Sequence, residues 1–373
     1  MRFLHTSDIH LGAKFEVLGD KAPKQREQIK KTFSKIVDIA LEKKVDLFLL
    51  AGDLFDSNHP SQNDIEFAQK EFSRLTDKGV RIALIPGNHD YELGDTQTLG
   101  KNFDGLEKEG LFLFTDAEGS KTYFEDINTE VYAKSNTTNK STASPMVVVD
   151  DDRDTFKIVM AHGGVVGQAK NPSWPIQPKE IEKSGADYVA LGDWHSLREE
   201  SQGDVTAYYP GSPEMISIRQ IESGYIILGE FSDGNLNVEP LKVGEREVSQ
   251  IEINLGDIKN KEELKERIAQ HAGEDVVCLV SITGVNSNKI IFNTDDIEEE
   301  LGDNFWRLKI DDTSRLPLED LDESDYPSMF ISGQFVQLMK KKIKDTESEE
   351  EKALLEEALN FGLLAFKDPD VIQ

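Results

Sequence analysis

Five short segments of this chain place Asp, His or Asn beside glycine or at the start of a turn: Asp8-Ile9-His10, Gly52-Asp53-Leu54-Phe55-Asp56, Gly87-Asn88-His89-Asp90, His162-Gly163-Gly164 and Gly192-Asp193-Trp194-His195. Carboxylate, imidazole and amide oxygen suit borderline-to-hard divalent ions such as manganese, iron or zinc, and no thiolate stands among them. The candidate ligands Asp8, His10, Asp53, Asn88, His162, Asp193 and His195 exceed what one tetrahedral ion takes. They suit two ions roughly 3.5–4 Å apart with a shared carboxylate, an arrangement used for phosphoester hydrolysis. Taken singly, Asp and Asn at such positions are common turn formers and helix caps, and a histidine often satisfies only a local hydrogen bond. Four of the seven histidines fall in these segments, and that joint placement favours chemistry.

Each segment follows an apolar run: Phe3-Leu4, Leu47-Phe48-Leu49-Leu50, Ile82-Ala83-Leu84-Ile85, Ile158-Val159-Met160 and Tyr188-Val189-Ala190-Leu191. Between the first two runs, Ile29, Phe33, Ile36, Val37, Ala40 and Leu41 recur at helical spacing, as do Ile65, Ala68, Phe72 and Leu75 before the third. Strands alternating with helices predict an α/β fold with a largely buried sheet. The carboxyl edge of such a sheet is where ligands bind, and glycine lets the backbone turn close to them. Residues 116 to about 155 break the rhythm with an alternating run, Thr122 to Ala133, and a polar loop. Ala207 to about Leu241 reads as β-rich, with an Asp233-Gly234 turn.

A second unit over about 246–312 reads strand (Val248 to Ile253), helix (Lys261 to His271), strand (Val276 to Thr283), helix (Thr294 to Leu301), strand (Phe305 to Ile310). Residues 311–325, with seven acidic groups and Pro317, read as a solvated linker. Two helices follow, with Phe335, Met339 and Ile343 on one face and Leu355, Leu359 and Phe366 on another.

With 42 basic against 71 acidic residues the net charge is −29. A composition of 38% hydrophobic and 30% charged residues is too apolar for a disordered chain and too polar for a membrane protein. The single Cys278 excludes a disulfide framework and a multi-cysteine zinc site. The N-terminus has no apolar h-region or small-residue cleavage site, so a soluble, cytoplasmic protein is expected. The acidity counts against tight, non-specific nucleic-acid binding by the surface as a whole. It leaves room for local contacts. The stretch 13–31 (Lys14, Lys21, Lys24, Arg26, Lys30, Lys31) and the cluster Lys340, Lys341, Lys342 and Lys344 read either as phosphate-tracking or as ordinary solvated faces.

The order D-x-H, G-D-x-x-D, G-N-H-D, H-G-G and G-x-x-H over residues 8–195 resembles the five motifs of the calcineurin-like metallophosphoesterase superfamily. Gly52 to Asp56 followed by Pro60-Ser61, together with Tyr209-Pro210-Gly211-Ser212-Pro213, is similar to the SbcD-type DNA double-strand-break repair exonucleases. The resemblance implies an α/β architecture. A β-sandwich flanked by helices would form a nuclease domain over 1–240, with a small α/β capping domain over 246–312 and a C-terminal helical segment over 327–368. It implies one metal on Asp8, His10, Asp53 and His195 and another on Asp53, Asn88, His162 and Asp193, with Asp53 bridging. Manganese is the preferred ion, with iron, zinc or magnesium as alternatives. By the same resemblance His89 stabilises the transition state and protonates the leaving oxygen, and Asp90 orients its imidazole.

Asp193 departs from the family's His-x-His; a carboxylate coordinates at about the same distance, roughly 2.0–2.2 Å, and favours a harder ion. The implied activity is dimetal-dependent phosphodiester hydrolysis, as a DNA repair exonuclease acting on DNA ends or single strands. The implied partners are an SbcC-type coiled-coil ATPase and a second copy of the chain, with no membrane. Two other readings stand: a phosphoesterase on small nucleotides or cyclic nucleotides, motivated by the acidic surface, and a scaffold subunit whose second metal site Asp193 impairs. Asp56 reads as a site neighbour or a turn cap. Gly211 and Ser212 read as amides near phosphate or as a turn, and Trp194 as packing or a base-stacking platform. His5 is expected inside strand one, His59 in a loop and His271 on an exposed helix.

Overall fold

The computed structural model describes residues 1–91, 98–103, 106, 110–150, 153–167, 172–232, 234–286, 288, 290–315, 327–346 and 348–367. Most of the acidic linker, with Pro317, lies outside the described residues, as do Asp233 of the expected turn and residue 368 of the helical segment. The chain divides into two compact units, Met1–Ser249 with Asp275–Val277, and Gln250–Glu274 with Cys278–Gln373.

Two six-stranded sheets form the first unit. In one, β1 (Arg2–Thr6), β2 (Leu47–Ala51), β3 (Arg81–Ile85) and β4 (Leu111–Leu113) run parallel, and β11 (Tyr225–Ser232) and β12 (Asn235–Lys242) extend the sheet antiparallel in the order β12-β11-β1-β2-β3-β4. The other has the order β5-β6-β7-β8-β10-β9. Its members are β5 (Ser120–Phe124), β6 (Thr129–Ala133), β7 (Phe156–His162), β8 (Tyr188–Gly192), β9 (Arg198–Glu199) and β10 (Thr206–Tyr209). The interruption expected at 116–155 is therefore the start of the second sheet: β5 pairs antiparallel with β6, which runs parallel to β7.

Strand alternation explains why β2 is apolar throughout. Leu47, Leu49 and Ala51 face the core between the sheets with Ile158, Met160, Tyr188 and Ala190, while Phe48 and Leu50 point to the opposite side, and all five are buried. Each fully buried Leu or Phe contributes about 1.5–3 kcal/mol, enough to hold polar loops at the strand ends. The expected helices appear as α1 (Ala22–Glu42), with Pro23 in its first turn, and α2 (Gln62–Thr76), whose N-cap Ser61 hydroxyl accepts from the Asp64 N–H. Phe33 of α1 meets Phe72 of α2 edge-on at 5.9 Å, and Phe72 meets Phe103 of α3 (Thr98–Phe103) at 5.4 Å. A one-turn helix, α4 (Pro178–Glu182), places Ile181 in a second core on the outer face of β7 and β8.

The second unit has a three-stranded sheet, β13 (Glu247–Asn254), β14 (Gly273–Thr283) and β15 (Phe305–Asp312), in sequence order. Its helices are α5 (Lys261–Ala269) and α6 (Thr294–Leu301), N-capped by the Asn260 and Asn293 side chains. Beyond them α7 (Ile331–Asp345) packs Val336 and Met339 against Leu359 and Leu363 of α8 (Glu349–Lys367). Phe335, Ile343 and Leu355 flank that contact, and Phe366 meets the Phe335 ring at 5.7 Å. Among the described residues no helix is long and apolar enough to cross a membrane.

Candidate metal centre

All five chemistry-bearing segments leave the carboxyl ends of parallel strands: β1, β2 and β3 in one sheet, β7 and β8 in the other. Main-chain bonds knit the loops together. The Asp8 N–H donates to Gly52 O at 3.0 Å and the His10 N–H to Asp53 O at 3.0 Å; the Asp193 N–H donates to the Asp8 carboxylate at 3.1 Å. Asp8, His10, Asp53 and Asp193 all adopt the left-handed region, at φ 54°, 52°, 53° and 95°. Such conformations cost of order 1–3 kcal/mol each and persist where surrounding structure over-determines them, typically at functional sites. Close approaches within these segments require glycine, at Gly52 and Gly87 against the site's own side chains. A Cβ on Gly52 would stand 2.1 Å from His162 Nδ1, and one on Gly87 2.0 Å from Asp53 Oδ1.

Beside a set of His10, Asp56 and His89, the side chains gather in two sets that share Asp8. In one, Asp8, His10 and His195 bring ligand atoms within 4.8 Å of one another; in the other, Asp8, Asp53 and His162 do so. A single atom faces both: Asp53 Oδ2 lies 3.6 Å from His10 Nε2 and 3.4 Å from His162 Nε2. Asn88 and Asp193 border the second set, with Asn88 Oδ1 3.3 Å and Asp193 Oδ1 3.8 Å from His162 Nε2.

Hydrogen bonds fix the imidazoles. His162 Nδ1 donates to Ala51 O at 2.9 Å, so its Nε2 faces three oxygen acceptors, on Asp53, Asn88 and Asp193. His10 Nδ1 donates to Asp56 Oδ1 at 3.1 Å, and among the described residues its buried Nε2 has no hydrogen-bond partner. An orphaned, buried ring nitrogen and a fourfold meeting of acceptors are costly unless positive charge sits among them. The donor set therefore fits divalent cations.

The ionisation preferences express the same demand. Burial opposes charge on Asp53, yet the facing His162 and His10 outweigh it and hold the carboxyl well below its ordinary range. Burial works to lower His162, but Asp53, Asp8 and Asp193 raise it well above its usual value. Burial lowers His195 to about 4, and pushes Asp193 up to about 6 against the pull of His162.

A family model described as Calcineurin-like phosphoesterase matches residues 1–197. The chain belongs to the calcineurin-like phosphoesterase family. This family is hydrolytic and uses a dinuclear metal site, consistent with the acidic and histidine clusters at the sheet edges. The chain is 28% identical over 250 residues to the uncharacterized metallophosphoesterase YhaO of Bacillus subtilis, which covers 64% of this chain and 59% of YhaO. It thus spans less than two thirds of that relative. It is 24% identical over 331 residues to the DNA double-strand break repair protein Mre11 of Sulfurisphaera tokodaii, covering 86% of this chain and 83% of that protein. The crystal structure of TT1561 of Thermus thermophilus superposes with a TM-score of 0.40 at 14% identity, over 64% of this chain and 97% of that one.

On this calcineurin-like scaffold one expectation needs correction. The Asp90 carboxylate does not orient His89: it accepts from the Gly87 N–H at 2.7 Å and the Phe55 N–H at 3.1 Å, tying the second and third loops together. Its carboxyl is pushed up to about 6 by burial and by Asp53, against those two N–H groups. The group facing His89 is Asp56, whose main-chain oxygen accepts from His89 Nδ1 at 3.0 Å and whose carboxylate lies 3.9 Å from the same atom. Asp56 thus contacts both His10 and His89, which resolves its double reading toward the site; its place in G-D-x-x-D was the signal.

The other candidates fall as follows. Ser212 N–H is taken by His195 O at 3.0 Å, so this amide ties its segment to the site loop. Trp194 is half-buried beneath the Arg198 guanidinium at 5.6 Å. His5 is fully buried, 2.9 Å from Tyr188 Oη, whereas His59 and His271 are exposed. Three buried residues were not singled out for the site: Asn136, which donates to His162 O at 3.0 Å; Tyr209, whose hydroxyl donates to Gly163 O at 2.6 Å; and Gln220, which donates to His195 O. Of these only Tyr209 lay within a motif.

Proposed function

We propose that this protein is a metal-dependent phosphodiester hydrolase, a DNA exonuclease acting in DNA repair on DNA ends or single strands. The observation that carries the reading is Asp53 Oδ2 standing between His10 Nε2 and His162 Nε2, which belong to two donor sets that meet at Asp8. Asp8, His10, Asp53 and His195 would hold one ion, and Asp53, Asn88, His162 and Asp193 the other, with Asp53 shared and manganese preferred over iron, zinc or magnesium. Two such ions, when bound, supply Lewis-acid stabilisation of phosphoryl charge and acidify water.

The chain's own groups do the rest. Asp56 O fixes the Nδ1 proton of half-exposed His89, so that in the doubly protonated ring Nε2 is the atom that gives its proton to the leaving oxygen. Asp56 Oδ1 fixes the His10 tautomer, so Nε2 keeps its lone pair for a cation. Asp90 holds the loops that carry His89 and Phe55 at their mutual distance. The likeness to Mre11 supports DNA as substrate, an SbcC-type coiled-coil ATPase as partner and pairing with a second copy. Lys14, Lys24 and Lys31, exposed just beyond the first site loop, offer phosphate contacts. In this reading 1–240 is the nuclease domain, 246–312 its cap and 327–368 the helical segment that docks the ATPase.

Purified protein with manganese should degrade end-labelled linear duplex and single-stranded DNA. His89→Ala should lower the rate about 10²–10⁴-fold while retaining metal. The net charge of −29 favours one second reading, a small phosphoester substrate. Turnover of cyclic nucleotides with none of DNA would select it.

A further inference from the structure

The loop carrying Asp193 and His195 is held from two directions. At its start the Asp193 N–H donates to the Asp8 carboxylate. At its far end it leans on residues 211–222, which follow β10: Leu197 N–H donates to Glu222 O at 2.9 Å, and Ser196 Oγ to Ile221 O. Between these anchors, the carbonyl of His195 receives two donors, the Ser212 N–H at 3.0 Å and the Gln220 side-chain Nε2 at 2.5 Å. The approach is close enough that a Cβ on Gly211 would stand 2.6 Å from the same oxygen.

Gln220 is only 7% exposed, and its amide is fully used. Nε2 also donates to Ser212 Oγ at 2.9 Å, while Oε1 accepts from the Ile216 and Ser217 N–H groups at 3.1 and 3.3 Å. A primary amide has two donors and two acceptor positions, so none is left for water. One of the four bonds leaves the 212–217 segment, and it goes to His195.

We propose that Gln220 is a positioning residue for His195, setting the main chain from which that imidazole reaches the Asp8–His10 half of the site. This rests on the metal reading above. Removing the Gln220 donor leaves His195 O with one partner and lets the imidazole drift from Asp8, from which His195 Nε2 now stands 3.6 Å. Groups that orient ligands in this indirect way typically change metal affinity by 10–100-fold when altered. In the other half, the loop that carries His162 is clamped separately, because Asn136 and Tyr209 hold the carbonyls of His162 and Gly163, and Asp193 is tied at the start of its own loop to the Asp8 carboxylate.

The test titrates manganese into the metal-free full chain by calorimetry, with thermal unfolding of each metal-free variant as the control for folding. Wild-type protein should bind two ions. Gln220→Ala and Gln220→Glu should weaken one class about 10–100-fold and leave the other unchanged. The weakened class should be the one His195→Ala abolishes. Glutamate keeps the volume and the oxygen used by Ile216 and Ser217 but turns an acceptor toward His195 O, so it carries the test should the alanine variant not fold. Ser212→Ala, which spares both donors to His195 O, should bind both ions normally. Unchanged affinities, equal loss at both classes, loss confined to the class His162→Ala removes, or misfolding of both Gln220 variants would overturn the proposal. Absence of bound ions in wild-type protein would instead overturn the metal reading, and this inference with it.

Discussion

The two halves of the candidate metal centre use the same scaffold but different donors. On the Asp8 side two imidazoles, His10 and His195, meet Asp8 and the shared Asp53; on the Asp193 side one imidazole, His162, faces the Asn88 amide, Asp193 and the same Asp53. Burial wins at His195, whose pKa falls to about 4, and loses at His162, which its acidic neighbours raise. The lesson is that burial alone does not decide ionisation here; the charges around each ring do, carboxylates at His162 and, beside carboxylates, the imidazoles of His10 and His162 at His195. The Asp193 half, with an amide oxygen where the other has a second imidazole, is accordingly harder and favours oxygen-seeking ions such as manganese.

The largest effect should come from the atom common to both halves. Asp53→Asn should lose both ions and reduce hydrolysis to background, measured by metal content and DNA degradation together. Retention of one tightly held ion would show that the halves do not share Asp53. Next come the separate halves. His195→Ala and His162→Ala should each lower the metal-to-chain ratio from two to one. Of the two remaining ions, the one left by His195→Ala should show the stronger preference for manganese over zinc. Identical metal preferences would erase the contrast.

The smallest effect concerns an imidazole outside both halves. His5 is fully buried beside Tyr188 Oη, and desolvation lowers its pKa to about 3. The folded chain therefore binds fewer protons there than the unfolded chain, whose histidine titrates near 6.5. Its contribution is complete above pH 6.5 and lost as pH falls below it, by about 2 kcal/mol between pH 6.5 and 5. Urea unfolding at these two pH values should show a smaller pH-dependent loss in His5→Leu than in wild-type protein. An equal loss would refute the assignment.

What the residues disclosed in advance follows the same divide between side-chain chemistry and main-chain geometry. The meeting of Asp8, His10, Asp53, Asn88, His162, Asp193 and His195 was legible because each follows an apolar strand and their atom types are those a divalent ion would take. The strands and helices of residues 246–312 were legible from period alone, and the structure places them within a few residues of the expected limits. Thr122 to Ala133 read as alternating, yet its place in a second sheet depends on β6 pairing with β7 across the polar loop, which no local pattern encodes. Asp90 misled because its neighbour in sequence is not its partner in space. Gln220 and Asn136 were invisible because they bind backbone carbonyls, which every residue possesses.

The most direct test of the shared dinuclear centre is an anomalous-scattering map from crystals of the manganese-loaded protein. Two peaks are predicted, one among Asp8, His10 and His195, the other among Asn88, His162 and Asp193, with Asp53 touching both. A single peak, or peaks remote from Asp53, would contradict it.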